Sequence, residues 1–229
     1  MERTKIKELL RALLQRASVF DSFSLKCVAI LCMAADHTGR ILFPGEENLI
    51  RIGRLAFPIF AFLLAEGFFH TRDRYRYLAR LGIFALLSEI PFDLAFFQTV
   101  WYPQRQNVFF TLFISVALMA VLERSREWPE RILEIFIAMW FAEALGADYG
   151  FRGVLLVLIF YIGRARPWAG LALAGAWNFL WQPAVQRFGA LAVIPIALYN
   201  GKKGRGMKYF FYIFYPAHLL LLCLIRYVR

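Results

Sequence analysis

Met33-Ala34-Ala35-Asp36-His37-Thr38-Gly39-Arg40-Ile41-Leu42-Phe43-Pro44 sits inside an apolar run that begins near residue 23 and ends near residue 43. A run of about 20 such residues is what a membrane-spanning helix requires. An ionisable side chain at membrane depth costs about 2.5–3.5 kcal/mol on insertion scales. An Asp, a His and an Arg together at that depth therefore mark a candidate site as well as a span.

The surrounding chain agrees with that reading. Of its 229 residues 60% are hydrophobic and 17% aromatic, against roughly 45–50% apolar in soluble domains. The mean hydropathy is +0.54. About nine apolar runs follow one another, near 23–43, 55–70, 77–97, 108–122, 131–147, 149–163, 167–181, 187–200 and 208–226. The expected fold is all-α, a polytopic integral membrane protein of nine or ten transmembrane helices. Residues 3–17 have apolar positions at helical spacing with Lys and Arg between them, the pattern of an interfacial amphipathic helix. Residues 1–21 are accordingly assigned to that helix and residues 22–229 to one membrane domain.

The net charge of +11 follows topology, not nucleic acid. Placing the N-terminus in the cytoplasm puts 19 of the 27 Lys and Arg on the inner side and 8 outside, as the positive-inside rule requires. The expected location is the cytoplasmic membrane, multi-pass, in contact with its lipids. Cys27, Cys32 and Cys223 are odd in number and lie in apolar runs, with no metal-ligand spacing.

This topology sorts the polar residues. Toward the outer half lie Asp36, His37, Arg40, Arg54, Glu89, Asp93, Asn107 and Asp148; toward the inner half lie Glu66, His70, Arg80, Asn200, Lys202 and Lys203. His218 falls near mid-depth in the last run. Asp36 and Arg40 are four apart and can pair. His37 diverges from Asp36 by about 100° around the helix, so it is free to meet another element. Ser88-Glu89-Ile90-Pro91-Phe92-Asp93 leaves two readings open: Glu89 and Asp93 line an outer vestibule with Arg54, or they neutralise Arg40 and Arg54. Asn200-Gly201-Lys202-Lys203-Gly204-Arg205-Gly206 is a basic glycine-rich turn able to cradle phosphate, without the spacing of a nucleotide-binding P-loop.

Ala35-Asp36-His37-Thr38-Gly39, Gly53-Arg54-Leu55-Ala56-Phe57-Pro58, Glu66-Gly67-Phe68-Phe69-His70-Thr71-Arg72, Ser88-Glu89-Ile90-Pro91-Phe92-Asp93 and Gln106-Asn107-Val108-Phe109-Phe110-Thr111 occur in succession. Asp148-Tyr149-Gly150, Tyr199-Asn200-Gly201-Lys202 and Phe214-Tyr215-Pro216-Ala217-His218 follow. This ordered set, from Leu25 to Ile225, resembles the TraX family in the version carried on many Gram-positive chromosomes. The resemblance implies a multi-pass N-acetyltransferase, since the founding member acetylates the N-terminal amine of a conjugative pilin. It also implies kinship with transmembrane acyltransferases that take acyl-CoA from the cytoplasm and modify an acceptor across the membrane.

On that resemblance His37, Asp36, Arg54 and His218 are the expected catalytic group, with His37 or His218 as base and Arg54 at the developing oxyanion. Arg40, Glu89, Asp93, Asn107 and Asp148 would surround the acceptor, a pilin, a peptide amine or a hydroxyl. Lys202, Lys203, Arg205, Arg72, Arg80, Asn200, His70 and Glu66 would hold acetyl-CoA as co-substrate, with no metal. A transporter or flippase of a polar solute, or a non-catalytic membrane partner, is the competing expectation.

Overall fold

Ala56–His70 (α3) is the helix the others enclose, because almost every side of it is apolar. Phe57, Ile59, Ala61, Leu63, Leu64, Ala65 and Phe68 are all buried. A helix apolar all round belongs in the middle of a bundle or in a membrane. The computed structural model describes residues 18–229, apart from the side chain of Lys208. The interfacial helix expected over residues 3–17 lies outside the described residues.

The remaining helices are α1 (Ser22–Ile41), α2 (Glu47–Gly53), α4 (Arg74–Phe97), α5 (Val108–Leu122), α6 (Trp128–Ala144), α7 (Gly150–Gly163), α8 (Pro167–Leu180), α9 (Val193–Ala197) and α10 (Lys208–Val228). A 3-10 segment, Ala184–Ala192, leads into α9. Among the described residues there is no strand, only isolated bridges between Phe20 and Tyr199 and between Gln106 and Ala147. The all-α expectation is met.

α3 packs on α1, α5, α7 and the 3-10 segment; α4 and α10 pair beside α1, and α6 and α8 flank α7. Local chemistry sets several of the starts. Asp21 caps α1: its carboxylate accepts the Ser24 N–H at 2.7 Å while its own N–H donates to Ser24 Oγ at 2.8 Å. Those bonds from Ser24 hold the Asp21 carboxyl below its ordinary pKa. Asp73 caps α4 and Asn107 caps α5 by a single bond each, their side chains accepting the N–H of Arg76 and of Phe109. α7 and α8 approach so closely that a Cβ on Gly163 would lie 2.6 Å from the Gly170 Cα.

Side-chain and backbone contacts gather the connections into two ends. At one, the Ser22 N–H donates to Lys202 O at 2.8 Å, Arg74 pairs with Glu123 at 3.0 Å, and Arg164 reaches Glu66 at 3.6 Å. At the other, Gln106 N–H donates to Gly146 O at 3.0 Å, Arg226 bonds Ala95 O at 3.0 Å, and Arg229 bonds Leu42 O at 3.3 Å. The chain therefore runs back and forth between the ends, with α2 continuing into α3 and the 3-10 segment into α9. These rods match the apolar runs of the sequence in order. The second begins earlier than expected, at Glu47, because its first turn carries Glu47 and Arg51 as a surface pair at 2.6 Å. Two stretches, Glu47–His70 and Tyr209–Val228, are long and apolar enough to cross a membrane.

Candidate active site

α1 carries Asp36 and His37 on diverging faces, and each meets a different partner. Asp36 is buried against α2. Its Oδ2 accepts from Arg40 Nε at 2.9 Å, one turn along, and its Oδ1 accepts from Arg54 Nη2. Arg54 is itself buried, and it spends its other donors on Gln186 Oε1 at 3.1 Å and Ile50 O at 3.3 Å. A charge taken out of water needs its partners within hydrogen-bond reach, and here one carboxylate is shared by two guanidiniums. Gly53 permits this. A Cβ there would overlap the Asp36 Cβ, so any larger residue would push α2 off α1 and separate Arg54 from Asp36.

His37 turns the other way, toward α10. Its Nδ1 lies 2.7 Å from His218 Nε2, and His218 Nδ1 lies 2.7 Å from Phe214 O. The two rings are parallel within 7° with centroids 4.9 Å apart. That separation exceeds the nitrogen contact by about one ring radius at each end, so the imidazoles meet edge to edge in one plane. This is hydrogen-bond geometry, not a face stack. A carbonyl oxygen only accepts, so the proton on His218 must be at Nδ1. With both rings neutral, His218 Nε2 then accepts from His37 Nδ1–H, and His37 Nε2 is left with a lone pair. Phe96 and Tyr215 stand edge-on to His37, with centroids at 5.3 and 6.0 Å, and fix its plane.

His37 also lines a cavity of about 480 Å³ at this end of the bundle. Asp36, Arg40, Arg54 and Asp148 share its wall, together with Tyr149, Trp181 and Gln186. Tyr149 enters α7 at φ 70°, a left-handed conformation uncommon for a bulky residue. It is held there by a parallel contact with Phe57, centroids 3.8 Å apart. Asp148 is tied by its backbone, its N–H donating to Gln106 O at 2.8 Å and its carbonyl accepting from Thr111 Oγ1.

The other outer residues named from sequence lie elsewhere. Glu89 accepts from the Asn107 backbone N–H at 2.9 Å and from its side chain, Asn107 also bonds Ala85 O at 2.7 Å, and Asp93 accepts from the Tyr102 N–H at 2.8 Å. This set ties α4 to the start of α5. It neither lines the cavity nor neutralises Arg40 and Arg54, a task Asp36 performs. Conversely, Gln186, Tyr149, Glu143, Arg105 and Arg152 line the cavity although nothing in their local sequence marks them as site residues. The Asp148-Tyr149-Gly150 motif was the nearest signal for them.

At the opposite end a second cavity, of about 540 Å³, is walled by Phe62, Phe160, Leu171, Ile196 and Tyr199, with Glu66, Arg164, Trp168 and Gly201 at polar positions. Glu66 belongs to it, and His70 Nδ1 is 2.8 Å from Glu66 O. The Asn200 side chain accepts the Lys202 N–H at 2.9 Å and shapes the exposed loop that carries Lys202, Lys203 and Arg205 beyond Gly201. Arg72 is exposed at the end of α3, and Arg80 lies on α4 over the Tyr77 ring at 5.6 Å. Neither lines this cavity.

A family model described as TraX protein matches residues 22–226. The chain is 35% identical over 242 residues to a protein of Dichelobacter nodosus described as "Probable fimbrial assembly protein FimC, serogroup H1", covering 89% of this chain and 95% of that one. It is 27% identical over 136 residues to Protein TraX of Escherichia coli (strain K12), covering 59% of this chain and 53% of the relative. The chain thus spans about half the length of that second protein. No solved structure matches.

Proposed function

The chain belongs to the TraX family, and on that premise we propose that it is a membrane-embedded acetyltransferase moving an acetyl group from acetyl-CoA to an amine. The observation that carries this reading is the 2.7 Å contact of His37 Nδ1 with His218 Nε2, which leaves a lone pair on Nε2 of the neutral His37 ring, in a residue that lines a polar cavity. A base placed in that way accepts the proton that an attacking amine must lose.

The nine-pass membrane reading draws support from what the bundle presents outward. Ile132, Leu133, Phe136, Ile137 and Trp140 of α6, and Leu86, Leu87 and Ile90 of α4, are exposed, as are Leu220, Leu221 and Leu224 of α10. Apolar surface on that scale is unfavourable in water and suited to lipid. With the N-terminus cytoplasmic, the 540 Å³ cavity and its basic loop face the cytoplasm and the His37 cavity faces outward.

In the mechanism so placed, acetyl-CoA enters the inner cavity. Arg164 and the loop cations Lys202, Lys203 and Arg205 receive its phosphates, and the apolar wall receives the acyl-bearing arm. Phe62 of the inner cavity and Phe57, which backs Tyr149 and Trp181 of the outer one, are five residues apart on α3, about 7.5 Å of rise. The amine nitrogen attacks the thioester carbonyl as His37 Nε2 takes its proton. The C–S bond then breaks, the new C–N bond remains, and the thiolate leaves to be protonated on the CoA side. Arg40 and Arg54 keep a positive field across the site while charge develops on the carbonyl oxygen. Direct attack needs one transfer, against two for an acetyl-imidazole route.

The Dichelobacter nodosus relative is named for fimbrial assembly, so a peptide or pilin-type N-terminus is the acceptor class this reading takes. The test is transfer of labelled acetyl from acetyl-CoA to a free-amine peptide by protein in lipid nanodiscs. A product carrying the label supports the reading. Label that stays on CoA in the presence of a panel of amine peptides contradicts it.

A further inference from the structure

Four guanidiniums line the outer cavity, those of Arg40, Arg54, Arg105 and Arg152, against the carboxylates of Asp36, Glu143 and Asp148. Arg40 and Arg54 are committed to Asp36. The other four are not committed to one another. Among the described residues neither Arg105 nor Arg152 forms an ion pair, and neither does Asp148 or Glu143. Asp148 Oδ1 accepts only the N–H of Tyr149, at 3.1 Å. Arg105 and Arg152 are exposed and sit on the loop after α4 and the first turn of α7, at the mouth. Asp148 and His37 share the wall of this cavity. The cavity is thus lined mainly by polar surface, while its inner counterpart is lined mainly by apolar surface.

We propose that the outer cavity selects an acidic peptide N-terminus: Asp148 receives the terminal ammonium beside His37, and Arg105 with Arg152 receives an Asp or Glu side chain that follows in the peptide. This rests on the acyl-acceptor reading and adds the class of acceptor. An amine with no anion enters a cavity whose lining already carries one excess positive charge, so it gains little. A peptide with an acidic side chain meets both free sets. The polar lining favours a water-soluble chain end over a lipid headgroup, whose acyl chains need an apolar exit.

The experiment measures binding without any acyl donor, so that it stands apart from the transfer reaction. Protein in nanodiscs is titrated with free-amine tetrapeptides carrying Glu, Gln or Lys at the second to fourth positions. N-acetylated versions and glycerophosphoethanolamine serve as further probes, and the signal is tryptophan fluorescence, to which Trp181 in the wall responds. The Glu peptides are expected to bind about tenfold more tightly than the Gln peptides, as one charge-assisted contact allows. The Arg105→Glu, Arg152→Glu double variant should reverse the order in favour of Lys. Both substitutions are at exposed positions, and a matched melting temperature shows the fold is kept. Asp148→Asn should remove the advantage of the free amine over the acetylated peptide. Equal affinity for Glu, Gln and Lys peptides, or an order unmoved by the charge reversal, overturns the proposal. So does tighter binding of glycerophosphoethanolamine than of any peptide. Selective binding with no transfer would leave this site standing and remove the reaction; transfer with no charge preference would do the opposite.

Discussion

His37 and His218, 181 residues apart in the chain, share one hydrogen bond of 2.7 Å between Nδ1 and Nε2, and the Phe214 carbonyl at the far side decides its direction. The consequence is a lone pair on His37 Nε2 at the wall of a polar cavity. The two histidines are therefore unequal: one faces the cavity, and the other, buried behind it, holds the first in its tautomer.

That inequality predicts different kinetics. His37→Ala should cost about 10²–10⁴ in turnover, the range for losing a positioned base. His218→Ala should cost less. His218→Gln, whose amide oxygen can accept the His37 Nδ1–H, should recover part of the loss and restore the shape of the pH–rate profile. Equal losses in all three variants, with no rescue by Gln, would contradict the assignment.

Asp36 and Arg54 should behave as a buried pair. Arg54→Ala leaves a carboxylate in a site Arg40 only half compensates, a loss of about 3–5 kcal/mol by analogy with other broken buried pairs. The Asp36→Asn, Arg54→Gln double variant should melt closer to the parent than Arg54→Ala does, because no charge is stranded. A thermal melt in detergent decides it; additive losses would show that the two side chains are not coupled.

Gly53 should tolerate no Cβ without a shift of α2. Gly53→Ala is expected to destabilise by about 1–3 kcal/mol, the usual penalty for overpacking. It should also lower transfer activity, because Arg54 moves with α2. Gly45, whose Cβ would meet nothing within 4 Å but whose φ is +114°, provides a contrast: strain there should affect the loop and spare the site.

Sidedness has its own test. In a background without Cys27, Cys32 and Cys223, a single cysteine at Arg105 should react with a membrane-impermeant maleimide in intact cells, and one at Arg205 only after the membrane is permeabilised. Labelling of both from one side would contradict the nine-pass topology.

The bundle was legible in sequence because most of the apolar runs are closed by basic, glycine or proline punctuation, and hydropathy reads such segments well. The second rod was started late, since Glu47, Arg51 and Arg54 interrupt its hydropathy although they continue the helix. Asp36–Arg40 was legible as a pair four residues apart. The claim of Arg54 on Asp36 was not, because it depends on how closely Gly53 lets two helices approach. Glu89 and Asp93 looked like site carboxylates from their depth alone; what decides otherwise is that Asn107 and the Tyr102 N–H reach them first. The contact of His37 with His218 has no local signature at all. It arises from the packing of the first helix on the last.

The most direct measurement is acetyl-CoA binding and slow thioester hydrolysis by the purified protein in nanodiscs, with the His37→Ala variant alongside. The account predicts saturable binding by both proteins and hydrolysis only by the parent, with water in place of the acceptor amine. Hydrolysis that persists in the variant, or no binding at millimolar acetyl-CoA, would contradict it.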